Sequence, residues 1–481
     1  MSITAPRSSS TSSGTAGSAA WRPTRITPKD ASYATKVAFF AWVFSVYDFI
    51  LFGILLPPIA KDFGWSTAYS TRIATWVSVG TFVVALAVGP LVDRIGRRRG
   101  MIVTTAGAAV SSGLTAVTPF AAWLVGVRTV SGLGYSEQAV NATYLNELYA
   151  SVEGDSRKSG KGLIYSLVQG GWPIGVLFAS LMSSLLLPAL GWRGVFAIAT
   201  FPAVVIALLG RRLKESPKFE VMARGKHLLH EGDRDRALAF AQEHGVDMHE
   251  HSDRNPLVQI FARHIRKHTI FLSLAMLFNW FGVQVFAVLT TTVLTKASNV
   301  SFSNSLIILI LSNAVAYVGY ITHGYIGDRV GRRETIAVGW LLSSVAFLLM
   351  LLVAHGFVAV ITLYTIGLFF LIGPYSAVLF YLGESYPTRI RGTGSSFVNS
   401  MGPLGAIGGS AVLTALLSAG RSMNTAASVA GALAILLSGL LILGARRIRP
   451  GDPEIDIALA GDSGAQQVQG APSQAPRTAV S

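Results

Sequence analysis

The sequence predicts an all-α membrane protein, with twelve transmembrane helices in two pseudo-symmetric halves of six. Three observations carry this. The 481 residues are 51% hydrophobic and only 13% charged, against about 25% charged in a typical soluble chain. The apolar residues fall in long blocks, each close to the roughly 20 residues a helix needs to cross about 30 Å of hydrocarbon. A ten-residue pattern after the second block also recurs after the eighth.

The blocks, numbered here as spans 1 to 12, are 37–59, 72–93, 101–120, 121–148, 162–188, 193–213, 269–295, 305–328, 335–354, 357–383, 392–418 and 424–445. The longest polar interruption, 214–268, divides them six and six. The chain therefore reads as an N-terminal tail (1–35), a first half (36–213), a loop (214–268), a second half (269–447) and a C-terminal tail (448–481). Both tails have the composition of disordered segments. The first lacks the short apolar core of a cleaved signal peptide. Within the loop, 233–245 and 255–268 have helical periodicity, with Asp233 and Asn255 as N-cap candidates. They predict short helices along the membrane surface, or simply a tether.

The net charge of +15 is a matter of topology. Of the 39 lysines and arginines, only Lys61, Arg72, Arg193, Lys296 and Arg421 fall on one side, and Arg128 lies inside a span. The rest lie in the tails and even-numbered loops, which places both termini in the cytoplasm of a plasma (inner) membrane. No nucleic-acid partner is implied. There is no cysteine, hence no disulfide, thiol nucleophile or cysteine-ligated metal. No nucleotide loop, metal cluster or nucleophile constellation is present either, so neither an enzyme nor a cofactor or metal is expected.

The repeat is "GPLVDRIGRR" (89–98) and "GYIGDRVGRR" (324–333), G-x-x-x-D-R-x-G-R-R at an offset of 235. Gly89 and Gly324 let two helices approach closely. Gly96 and Gly331 permit a tight reversal with positive φ. Asp93 and Asp328 stand at helix ends beside Arg94, Arg97 and Arg98, and beside Arg329, Arg332 and Arg333. A fainter echo, 147–160 and 384–394, places Glu147 and Glu384 at span ends, the latter near Arg389 and Arg391. These groups would latch the cytoplasmic side shut and release it on opening; alternatively, the arginines only fix topology. Two repeated halves with a midplane site are a known solution for membrane transporters.

The duplicated loop resembles the signature of the major facilitator superfamily, a resemblance that covers all twelve spans. More narrowly, "RTVSGLGYSEQAVNATYLNELY" (128–149) is similar to the fourth span of the metabolite:proton symporters. The stretch 170–203, followed by "ESPKF" (215–219), is similar to the sialic-acid and lactate permease branch, as is "YDF" (47–49). Ser45 departs from that branch, which carries an acid there. The resemblance implies a monomeric carrier lined mainly by spans 1, 4, 7 and 10, moving a small organic acid with a proton by alternating access. Rival readings are a proton-driven exporter of an amphipathic compound and a nutrient receptor that does not transport.

Three charges interrupt the apolar spans. Asp48 sits at the middle of span 1, and a carboxylate at a helix centre costs about 2.5–3.5 kcal/mol to insert. It reads as a proton carrier, or as a structural aspartate held by a backbone donor or by an arginine on another span. Arg128, inside span 4, favours a carboxylate partner, from substrate, from an acid of the protein, or from both in turn; in the family an arginine here is associated with proton coupling. Glu137 lies nine residues on, which in a continuous helix turns it to the opposite face, about 13 Å away in height. Counted from their span ends, Asp48 and Glu137 are level, so they could share a proton; otherwise Glu137 is locked between helices. In the second half Asp48 maps onto Val283, beside Gln284. Asn279 and Gln284 of span 7, with Tyr375 and Tyr381 of span 10, are candidate neutral ligands for substrate. Trp172-Pro173 in span 5 and Gly402-Pro403 in span 11 mark points where those helices can bend.

Overall fold

The computed structural model describes residues 21–152, 167–232, 256–263, 265–386 and 391–448, with Arg236, Ala239, Phe240 and Glu243. Its regular elements are helices at the expected apolar stretches. Among the described residues nine helices are long and apolar enough to cross a membrane. One of them, Leu167–Gly210, holds spans 5 and 6 and reverses at Gly191, where φ is 62°. Span 3 (Arg97–Ala116), rich in Gly, Ala, Ser and Thr, and the interrupted span 4 are helical but fall outside that set.

Span 1 (Pro28–Asp62) starts nine residues before its apolar run. A capping box explains why: Asp30 N–H donates to Thr27 Oγ1 (3.2 Å) and Thr27 N–H to Asp30 Oδ2 (2.9 Å). The preceding residues are ordered too, since Thr24 donates through both its N–H and its hydroxyl to Glu220 (2.7 Å each). Glu220 belongs to Pro217–His230, a loop helix that sequence periodicity did not single out. Of the two helices expected in the loop, 233–245 lies almost entirely outside the described residues. The other shortens to a single turn, Pro256–Gln259, ahead of span 7 at Arg266.

The helices break where their backbone bonding is interrupted. Spans 5 and 11 break at Gly170 and Ser400, each three residues before a proline (Pro173, Pro403) that cannot donate to the preceding turn. Span 4 is cut into Ala121–Val130, Gly132–Tyr135 and Glu137–Ala150. Gly132 and Gly134 weaken the helix there. Ser131 folds back to donate to Arg128 O (2.6 Å). Span 7 contains a π-turn at Gln284–Val288 and span 12 another at Ser428–Ala432.

The two halves meet on the face opposite the basic loops. There Thr291 donates to the carbonyls of Ile54 (2.8 Å) and Gly53 (3.2 Å), and Thr414 to Thr71 (2.9 Å). Gly53 lies so close to Val288 O that no Cβ fits between them. On the basic face, an added Cβ at Gly89 would meet nothing within 4 Å. The far face is closed and span 2 is bare at its basic end.

Candidate functional site

Asp48 and Arg128 find each other. Arg128 Nη1 donates to Asp48 Oδ1 (3.0 Å), and Nη2 to Asp48 O (2.7 Å) and Oδ2 (3.4 Å). Ser112 of span 3 donates to the same Oδ1. The pair is 1% and 2% exposed. The guanidinium lies 5.5 Å from the Phe196 ring centroid and 5.8 Å from that of Phe52, within cation–π range. Sequence spacing could raise this pairing only as one alternative among several, and nothing in it marked Ser112 as a partner.

Arg128 also lines a narrow central cleft walled by Phe49, Phe52, Ser78, Thr81, Tyr135, Trp280 and Gln284. Gln284 donates to Ser410 of span 11 (2.8 Å). The π-turn beginning at Gln284 offsets the register of span 7 at that point. Asn279 lies a little toward the basic face, accepting from Tyr375 (2.6 Å). Tyr381 is placed elsewhere: it donates to Arg446 O and packs against His268, 5.8 Å between centroids, at the basic end of the second half. Its position on span 10 suggested a cavity ligand, but the span breaks at Gly373-Pro374 and the tyrosine follows the second piece.

Glu137 does not meet Asp48. It accepts from Thr104, while its other oxygen is buried with no partner among the described residues. Thr104 and Ser112 are eight residues apart on span 3, about 12 Å along its axis. The two acids therefore sit at different depths, and the expected level pair is corrected. Counting from the apolar run misplaced Asp48, because span 1 extends well beyond that run.

The duplicated loops form matching networks. Arg97 bonds Asp93 (2.9 Å) and Glu147 (3.2 Å); Arg332 bonds Asp328 (3.2 Å) and Glu384 (3.0 Å). Gly96 and Gly331 adopt positive φ, 98° and 118°. Each network ties three neighbouring spans of one half, and none of these bonds crosses between the halves. Asp93 and Asp328 are 65% and 66% exposed. Arg94 is exposed, Arg329 stacks over Tyr325 at 4.0 Å, and Arg333 caps the end of span 12 through Leu443 O (3.1 Å) and Ala445 O (3.0 Å). Arg98 joins through its backbone. The residue missed was Glu215, which accepts from the N–H groups of Arg97 (2.9 Å) and Arg98 (3.1 Å) at the start of span 3. No local signal reveals it, because the helix start that Glu215 serves lies 118 residues earlier in the chain. Arg389 and the Arg391 side chain lie outside the described residues.

Long apolar helices around a central cleft with a buried charge pair, with the G-x-x-x-D-R-x-G-R-R loop repeated along the chain, fit a membrane carrier. The sequence profile of the Major Facilitator Superfamily matches residues 38–410 and again 272–461, and the chain belongs to that family. It is 25% identical over 412 residues to a Bacillus subtilis (strain 168) protein named for niacin/nicotinamide transport, covering 85% of this chain and 94% of the relative. A Cupriavidus pinatubonensis protein named for 4-methylmuconolactone transport is 25% identical over 412 residues, 84% and 88% of the two chains. The synaptic vesicle 2-related protein of Xenopus laevis is 26% identical over 400 residues, 76% and 70% of the two chains. The chain is a non-enzymatic transport protein of the membrane.

Proposed function

We propose that the protein imports a small organic acid together with a proton by alternating access, as a monomer in a plasma (inner) membrane with both termini and the basic face in the cytoplasm. The observation that supports this most is the buried Asp48–Arg128 pair on the cleft wall. One guanidinium serves two competing carboxylates. While Asp48 is ionised it holds Arg128, and a substrate carboxylate entering the cleft would face a neutralised cation. A proton on Asp48 releases Arg128 to the substrate, so acid and proton enter together. Opening to the cytoplasm lets Asp48 lose its proton, reclaim Arg128 and expel the acid.

Asn279, Gln284 and Tyr375 supply neutral hydrogen bonds, and the aromatic walls suit a flat ring. The relatives named for niacin and 4-methylmuconolactone transport support a compact ring compound as cargo. The metabolite:proton symporter resemblance agrees with the coupling. Glu137, bonded away from Asp48, is assigned a structural role here. The repeated loops act within each half as braces.

The deciding test is uptake of labelled monocarboxylates, nicotinate among them, into vesicles under an inward proton gradient, with wild type and Asp48→Asn. The expected result is gradient-driven accumulation in wild type only, with downhill exchange retained in the variant. Equal accumulation by both moves the proton to Glu137. Efflux without uptake means an exporter, and binding without movement a receptor.

A further inference from the structure

The first half carries a groove between spans 3 and 6 that shares no residue with the central cleft. The two helices approach at two levels. A Cβ added to Gly210 would meet Ile102 at 3.0 Å, and one added to Gly113 would meet Thr200 at 3.4 Å. Beside these contacts they leave a cavity of about 420 Å³, where roughly 10–15 Å³ suffices for one water. Ala106 and Val110 wall it from span 3, and Val204 and Leu208 from span 6. Val110, Val204 and Leu208 are 55%, 42% and 50% exposed, so the groove opens outward, to the bilayer.

Its length and its charge both point to one kind of occupant. From Ile102 to Gly113 span 3 rises about 16 Å, close to half of the roughly 30 Å hydrocarbon core and so to the depth of one leaflet. At the basic end stands Arg211, which lines the groove, with Arg99 one turn before Ile102 on the same face of span 3. Both arginines are exposed, and neither has a hydrogen-bond or ion-pair partner among the described residues. The nearby acids are committed elsewhere: Glu147 to Arg97, and Glu215 to the N–H groups of Arg97 and Arg98. The rest of the lining is apolar apart from Thr200, whose hydroxyl donates to Phe196 O (3.3 Å). A groove that is apolar along its length and cationic at one end complements a phospholipid.

An unfilled groove forfeits the dispersion contacts of its walls, so in a bilayer an acyl chain enters it, and the arginines select which lipid supplies that chain. We propose that the groove between spans 3 and 6 holds one acyl chain of an anionic phospholipid from the leaflet on the basic side, with Arg99 and Arg211 on its phosphate. The inward face of the same helix carries Thr104 and Ser112, which bond Glu137 and Asp48. The lipid thus backs the helix that holds both intramembrane acids, whatever the cargo.

The test is native mass spectrometry of the full chain in detergent, titrated with dioleoylphosphatidylglycerol or dioleoylphosphatidylcholine. Wild type should bind the phosphatidylglycerol about thirtyfold more tightly, the worth of two arginines at an anionic surface. Arg99→Gln with Arg211→Gln should cancel that preference. Val110→Trp, which fills the groove from its open side, should weaken binding of both lipids by at least about tenfold through lost chain contacts. Ala207→Leu, from the opposite wall, should act in the same direction and guards against a fault at Val110. Arg99, Arg211 and Val110 are all exposed, so these changes spare the packed core. A preference that survives the arginine changes, or binding indifferent to both groove fillings, overturns the site. So does glycerol phosphate competing as strongly as the intact lipid, because two surface arginines would then be binding phosphate alone. Equal binding of the two lipids by wild type would leave the arginines to topology and overturn it as well.

Discussion

Asp48 Oδ1 is shared by Ser112 and Arg128, while the Arg128 Nη2 group also reaches the Asp48 carbonyl. Such a pair has little net worth compared with an apolar replacement, but removing one member is expensive, about 3–5 kcal/mol. Arg128→Ala should therefore lower the thermal midpoint sharply, and Asp48→Asn added to it should restore most of the loss. Tryptophan fluorescence during thermal unfolding in detergent reads this directly. If the double variant is no better than the single, the pair is not the source of the cost. At this scale the sequence showed which residues were anomalous and not whom they met. Asp48 and Arg128 were conspicuous because charge in an apolar run is rare. Ser112 and Thr104 were invisible because hydroxyls in helices commonly bond their own preceding carbonyls, as Thr105 does to Met101 (2.9 Å).

The spans bend at defined points, and the two kinds of break differ in how readable they are. Those before Pro173 and Pro403 follow from a missing N–H and were legible. The π-turns at Gln284–Val288 and Ser428–Ala432 have no marker residue; they arise where spans 7 and 12 pack together, with Phe286 filling the place of a Cβ on Gly431. The π-turn also brings the Val288 carbonyl onto Gly53. Gly53→Val should prevent that approach and hold the far face open. Water-soluble thiol reagents should then modify a cysteine introduced at Ser78, which lines the cleft, at least about tenfold faster from outside, and acid uptake should fall by a similar factor. Unchanged labelling would mean that spans 1 and 7 separate elsewhere.

As a whole, the molecule is two braced halves that meet on the far face, where Thr291 bonds Ile54 O, and at the centre, where Tyr135 and Trp172 pack on Trp280. The repeat, the charge asymmetry and the apolar blocks made this architecture legible before any coordinates, because each is written in many residues at once. The part not legible was the state: among the described residues Arg97 and Arg332 bond within their own halves and not across the basic face. The chain has no native cysteine, so paired cysteines can test the closure cleanly. Ile54→Cys with Thr291→Cys, bridged by a short bifunctional thiol reagent, should stop transport, and reduction of a cleavable bridge should restore it. Transport that continues through the bridge would show that the far face need not part.

The contact between Thr24 and Glu220 has a consequence for how the protein is made. Its partners are 196 residues apart, and the same strap also joins Tyr33 to Leu209 O (2.9 Å) and Asp30 to Lys214 (2.8 Å). At about 5–20 residues per second, the ribosome needs roughly 10–40 s after the strap emerges before its dock exists. The beginning of the chain is thus among the last parts of the first half to settle, and it settles as the loop leading to the second half is being synthesised.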